Sequence, residues 1–175
     1  MNEIVWIDER DTLALHDALI LSSLAIREIS RSADAQGVVN VFYNRYLVSL
    51  GKIPSSPDHP ANLGSDPSAE YARDTASPPS DGHWWAELAD AGANIASASP
   101  YNADVATHTG LIPGPIAAPG RNELAAGAYP NPDSSATAAF YFVTDHCGTV
   151  HYAAGLAAFT ADAHRAVDQH QCWTP

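Results

Sequence analysis

Glu28 is placed where its surroundings would change its chemistry. It belongs to the stretch Asp11 to Ser32, DTLALHDALILSSLAIREISRS. Wound as a helix at roughly 100° per residue, this stretch spreads Leu13, Leu15, Ala18, Leu19, Ile20, Leu21, Leu24, Ala25, Ile26 and Ile29 around most of the circumference. His16, Ser23, Arg27 and Ser30 collect on a narrow polar edge. Glu28 projects between Leu21 and Leu24, inside the apolar sector. A carboxyl there loses hydration, which disfavours its charged form and raises its pKa. A carboxyl still protonated near neutral pH is what a general acid requires. The plainer reading is a partly buried acid paired with Arg31 one turn on, or with a basic residue elsewhere in the chain.

The remaining reactive residue types carry weaker patterns. A disulfide between Cys147 and Cys172 would close a loop of about 26 residues and contribute roughly 3–4 kcal/mol. Two unpaired buried thiols are the alternative. His146, His151, His164 and His170 lie near both cysteines, but neither CxxC nor HExxH spacing is present, so a zinc site is the weaker reading. No cofactor is called for. Twenty acidic residues against eight basic ones give a formal charge of −12, which excludes a phosphate backbone as partner. Hydrophobic residues at 46% and charged residues at 16% indicate a folded chain with a real core. No run approaches the ~18 apolar residues of a membrane span, and no signal peptide opens the chain.

Several elements must position Glu28. Ile4 to Ile7 is a short strand or an extended lead-in. A second helix runs from about Asp34 to Leu50, with Asp34 as N-cap and Gly51 as its stop. Its apolar residues leave little polar surface, so burial on most sides is expected. Asn44 and Arg45 interrupt that surface, either as an exposed pair or as groups reaching into a cleft floored by Glu28. Ile53 to Gly64 is a proline-broken loop. Asp66-Pro67 reads as an N-cap and first helical residue of a short helix through Arg73. Trp84-Trp85, ahead of a helical pattern ending near Gly92, would form either a sugar-stacking platform or ordinary packing.

Ser99 to Gly120, SPYNADVATHTGLIPGPIAAPG, is too rich in Pro and Gly for helix or central strand. It is stiff and carries Leu111, Ile112 and Ile116, which suits a wall of a site. Arg121 to Tyr129 reads as a short helix, Ala138–Thr144 and Thr149–Ala153 as a hairpin, and Leu156 to Gln169 as a last helix. The fold class is α+β. Helices pack around a small antiparallel hairpin or sheet, long Pro/Gly-rich loops form a cleft, and residues 1–175 make a single domain.

Four blocks and the hairpin, in order, resemble the catalytic domain of the endolytic murein transglycosylases, the YceG-like or MltG family. SSLAIRE, Ser22 to Glu28, is similar to the block ending in that family's catalytic glutamate. VNVFYNRY, Val39 to Tyr46, resembles its VxSVFxNRL block, and Ser65 to Ser68 followed by Tyr71 its DPTxxY block. SPYNADVATHTGLIPGPIAAPG resembles its YNTYxxxGLPPGPIxxPG signature, and FYFVTDHCGTVHY its hairpin. Ile26, Ser68, Ala103, Asp104 and Ile112 depart from the family pattern, Asp104 standing where the family usually has tyrosine.

The resemblance implies a lytic transglycosylase. It would cleave the MurNAc–GlcNAc bond of peptidoglycan and leave 1,6-anhydro-MurNAc ends, with Glu28 as acid and then base. It further implies that Asn44, Asp66, Ser68, Tyr101, Asn102, Pro113, Gly114 and His151 bind substrate. Peptidoglycan strands are the implied partner, with cell-wall synthesis or division proteins beside them, and an extracytoplasmic location. The chain as read carries neither the family's membrane helix nor its LysM-like domain. The rival readings are a glycan-binding or scaffold module with a degenerate cleft, prompted by the YNAD segment, and a metal-dependent hydrolase using the C-terminal histidines.

Overall fold

Two apolar helices meet at the centre of the molecule. The computed structural model describes residues 13–86, 96–130, 139–168 and 172. The expectations for Ile4 to Ile7, for the helical pattern ending near Gly92 and for the end of the last helix fall outside them. Helix α1 (Leu15–Glu28) and helix α2 (Ala35–Ser49) are joined by a 3-10 turn, Ser32–Asp34. Ile20, Leu21, Leu24 and Ala25 of α1 and Val38, Val39 and Phe42 of α2 are fully buried in one cluster with Leu63. Helix α1 is shorter than its apolar pattern at both ends. Leu15 is exposed, and Ile29 turns extended and packs against the core.

Asp34 occupies the N-cap position of α2 as expected, but its side chain makes no cap bond. It lies in helical backbone and its carboxylate accepts from Arg31 Nε at 3.0 Å. Gly51 takes φ +71° and its N–H bonds Val48 O, which ends that helix as expected. Helix α3 (Asp66–Ala76) starts one residue early: Ser65 occupies the N-cap position, although its side chain makes no cap bond. Helix α4 (Arg121–Ala128) lies against α1 at Gly127, where a Cβ would collide with Ser22 Oγ and come within 2.5 Å of Ala18 O.

Strands β1 (Tyr141–Thr144) and β2 (Val150–Ala153) pair antiparallel, with Phe142 opposite Tyr152 and Val143 opposite His151. Asp145 holds the turn between them. Its Oδ1 accepts the Cys147 and Thr149 N–H groups at 2.9 Å, and Oδ2 meets His151 Nε2 at 3.0 Å. Cys147 is bonded to Cys172, their Cα atoms 5.4 Å apart. Helix α5 (Leu156–Ala163) continues as a π-helical turn, His164–Asp168. Asp58 accepts its Leu156 N–H at 2.9 Å, and Phe159 stacks on Tyr141 with ring centroids 5.1 Å apart.

The proline-rich segment crosses α1 rather than standing free. Ile112 and Ile116 enter the core, and the Ile116 N–H bonds Ser23 Oγ at 3.1 Å. Ser23 is therefore buried instead of lying on an exposed polar edge; it donates to Ile20 O at 2.8 Å. No helix among the described residues is long and apolar enough to cross a membrane.

Candidate active site

A cleft of about 320 Å³ opens beside the C-terminal end of α1. Glu28 lines it together with Arg45 from α2, Pro60, Asn62 and Gly64 from the loop before α3, and Asp66 from α3 itself. Asp104, Tyr141, Phe142 and Phe159 complete it. Elements far apart in the chain thus converge on one carboxyl group.

Glu28 is the last residue of α1, one turn on from the fully buried Leu24 and Ala25. The unpaired carbonyls of a helix C-terminus carry negative partial charge, so an anion is poorly placed there. Its Oε1 accepts from Ser65 Oγ at 2.7 Å. Arg31 is not its partner, being paired with Asp34. Burial pushes the Glu28 pKa up to about 8. The Ser65 hydrogen bond opposes that rise, the Asp66 and Glu70 carboxyls add to it, and Arg45 draws it down. A carboxyl in this state is protonated at neutral pH.

Arg45 is buried at the cleft side. Its Nε donates to Phe140 O and its Nη1 to Leu63 O, both at 2.6 Å, and its guanidinium carbon lies 4.7 Å from the centre of the Tyr141 ring. Burial brings its pKa down to about 10, against the pull of Tyr141, Asp104 and Glu28. Asp66 is exposed at the rim and Asp104 half-buried. Burial raises the pKa of each; Asp104 raises Asp66 further, and Arg45 opposes the rise at Asp104.

The other residues singled out in the sequence are placed differently. Asn44 is buried and donates its amide to Ala139 O at 2.9 Å, tying α2 to the start of β1 instead of facing the cleft. Ser68 is fully buried; it donates to Ser65 O at 2.6 Å and accepts the Ala103 N–H at 2.8 Å. Asn102 is fully buried, its Oδ1 accepting the Asp104 N–H at 3.1 Å. His151 is buried against Asp145 in the hairpin. These four stitch the loops together from inside the molecule. Tyr101 is half-buried with its ring 5.2 Å from that of Tyr71, and Gly114 lies beside its hydroxyl.

Pro113 lines a second cavity of about 340 Å³ with Pro100, His108 and Leu111. The proline-rich segment was expected to wall the Glu28 cleft, but its contribution there is Asp104. Its prolines are drawn elsewhere because Ile112 and Ile116 anchor that stretch in the core. Trp85 faces inward on Arg27, 4.1 Å from ring centre to guanidinium, and stacks near Tyr71, while Trp84 is partly exposed. Among the described residues, no three His, Cys, Asp or Glu side chains gather as a metal-binding group.

Sequence reasoning missed Ser65, Asn62, Tyr141 and Phe159. Ser65 could have been found, since it opens the block read at Asp66; nothing local marks Phe159 as a cleft residue.

The model of the YceG-like family matches residues 2–165. A crystal structure of a YceG-like protein from Listeria monocytogenes superposes with a TM-score of 0.61 at 25% sequence identity. The superposition covers 85% of this chain and 40% of the Listeria chain, so this chain spans less than half of that protein. No curated protein matches the chain. The α+β arrangement is shared with the Listeria structure, and the family match runs through the helix bearing Glu28, the cleft and the hairpin: the chain belongs to the YceG-like family, the family of endolytic murein transglycosylases.

Proposed function

We propose that this chain is a peptidoglycan lytic transglycosylase in which Glu28 serves first as acid and then as base. The observation that carries the reading is the Glu28 carboxyl itself, set in the cleft at the end of α1 and held by Ser65 Oγ at 2.7 Å, where burial pushes its pKa up to about 8. Ordinary glycoside hydrolysis uses two carboxylates flanking the scissile bond, the second to activate water or attack the sugar. A transglycosylase needs one, because its nucleophile belongs to the substrate.

Protonated Glu28 gives its proton to the oxygen linking MurNAc C1 to the next GlcNAc, and the C1–O bond breaks as positive charge develops at C1. The resulting carboxylate takes the proton of the MurNAc C6 hydroxyl as that oxygen bonds C1. The products are a 1,6-anhydro ring and a free GlcNAc hydroxyl, and Glu28 ends protonated as it began. Intramolecular attack gains from high effective concentration, so no activated water enters the step.

On this reading the Asp66 and Asp104 carboxyls lining the cleft meet sugar hydroxyls, and Phe142 and Phe159 offer apolar surface to sugar faces. Peptidoglycan is the substrate, on the extracytoplasmic side of the membrane, with cell-wall synthesis or division proteins as neighbours.

Digestion of purified peptidoglycan, read by mass spectrometry for anhydro-muropeptides, tests this. Wild-type protein is expected to form them in the presence of a chelator, and Glu28→Gln to abolish them. Binding to peptidoglycan with no anhydro product would make the chain a glycan-binding module instead, and activity lost to the chelator would make it a metal-dependent enzyme.

A further inference from the structure

We propose that Arg45, Gly64 and Ser65 form a brace that decides which oxygen of Glu28 carries the proton, Ser65 being the positioning residue and Arg45 acting through it. The inference rests on Glu28 as the proton donor and assigns roles to its two oxygens.

Ser65 occupies the N-cap position of α3, where a serine hydroxyl ordinarily accepts from a backbone N–H of the first turn. It makes no such bond and instead donates to Glu28 Oε1 at 2.7 Å. Its backbone is fixed from both sides. On the α3 side, Ser65 O accepts the Ser68 hydroxyl at 2.6 Å and the Ser68 N–H at 3.1 Å. On the other side, Arg45 Nη1 donates to Leu63 O at 2.6 Å, and the Gly64 N–H bonds Ala103 O at 2.9 Å. Gly64 has φ +64°, and the Arg45 guanidinium fills the space that a Cβ at Gly64 would need. A side chain at position 64 and the guanidinium exclude one another, so Arg45 is packed directly onto the residue that aims Ser65.

A protonated carboxyl has one carbonyl oxygen and one hydroxyl oxygen, and the carbonyl oxygen is the better acceptor. The Ser65 bond makes Oε1 the carbonyl oxygen and sends the proton to Oε2. Oε2 is then the atom that donates to the glycosidic oxygen. After transfer Oε1 stays bound to Ser65, so Oε2 also takes back the C6 hydroxyl proton. The brace therefore lets one oxygen perform both transfers without rotation of the carboxyl.

Ser65 also stabilises the ionised form, in the same direction as Arg45 and against Asp66 and Glu70 of α3; Asp104 faces Arg45 and Asp66 from the loop. Ser65→Ala leaves all those charges in place and deletes one donor.

The test reads Glu28 twice. The first reading is an NMR titration of the 13C-glutamate-labelled protein, with Glu28→Gln to assign the signal. The second is the pH profile of kcat on peptidoglycan. Ser65 bonds both forms of Glu28 but the ionised form more strongly, so Ser65→Ala is expected to raise the Glu28 midpoint by about one pH unit. The alkaline limb of kcat should move with it. kcat itself should fall about ten- to hundredfold from lost orientation, with KM unchanged. Ser65→Thr, which keeps the hydroxyl, should restore the midpoint. Arg45→Lys should lower kcat in wild type and cost little further in the Ser65→Ala background.

A midpoint unmoved in Ser65→Ala overturns the brace, and an equal Arg45→Lys loss in both backgrounds removes Arg45 from it. Wild-type protein that forms no anhydro product while Ser65→Ala still raises the midpoint would sink the transglycosylase reading and leave the brace standing.

Discussion

Replacing Glu28 by Gln is expected to stabilise the protein, and increasingly so as pH rises. The fold raises the Glu28 pKa from its ordinary 4.5 to about 8, so the native state holds a proton that the unfolded chain releases above pH 4.5. With the folded value above the unfolded one, the contribution to stability is complete below pH 4.5 and is lost progressively as pH climbs towards 8. At about 1.36 kcal/mol per unit, the interval between 4.5 and 8 converts to about 4.8 kcal/mol. Solvent in the open cleft screens part of this, leaving roughly 2–4 kcal/mol. Glutamine keeps the shape and cannot ionise. The stability difference between Glu28→Gln and wild type is therefore expected to be small at pH 4.5, to grow through neutrality and to level off above pH 8. The melting-temperature gap at pH 8.5 should be on the order of 10 °C for a domain of this size. Burial raises the pKa of Asp66, Glu70 and Asp104 as well, but they titrate in both proteins and largely cancel in the difference. Thermal or urea denaturation of the two proteins from pH 4.5 to 9 measures it without any substrate. Parallel curves across that range would show that Glu28 is not desolvated, and the acid role would lose its physical basis.

Gly127→Ala places a Cβ against Ser22 Oγ and Ala18 O, so α4 must back away from α1 at a cost of about 1–3 kcal/mol, read as a lower urea midpoint with an unchanged slope. Reduction of the Cys147–Cys172 bond opens a loop spanning a sequence separation of 25 and should lower stability by about 3–4 kcal/mol. Equal denaturation midpoints with and without reductant, at confirmed alkylation of both thiols, would contradict that.

Elements whose cause is local could be read from the sequence. The hairpin follows from two short runs rich in aromatic and β-branched residues either side of Asp145 to Gly148, and the end of α2 from Gly51 in left-handed backbone. Glu28 was legible because a carboxyl in an apolar helical sector is out of pattern, and the cleft is where that sector leads. The polar residues of the family-like blocks misled for a physical reason. A fold rich in loops must satisfy many buried backbone groups, and Asn44, Ser68 and Asn102 do that from inside. Their residue types suit sugar hydroxyls equally well, so type and spacing alone do not separate the two uses. Ser65 carries the opposite lesson. It looks like a helix cap, and its actual partner lies 37 residues away in the chain, outside any local pattern. The reach of Phe159 into the cleft depends on where α5 docks against β1, which no periodicity encodes.

Why one carboxyl suffices is a matter of balance. Glu28 meets four influences that favour its protonated form: burial, the C-terminal end of α1, Asp66 and Glu70. Left to these, it would bind its proton too tightly to give it up. Ser65 and Arg45 oppose them, and the result near 8 is a group that holds a proton at neutral pH and can still release it. A mechanism with two carboxylates can tune one as acid and the other as base. A single group that must donate and then accept needs a pKa near the working pH, because any gain as acid is a loss as base. The donors that oppose burial are thus as necessary to the chemistry as the burial itself, and both come from the segment Leu63–Ser65 and the arginine packed on it.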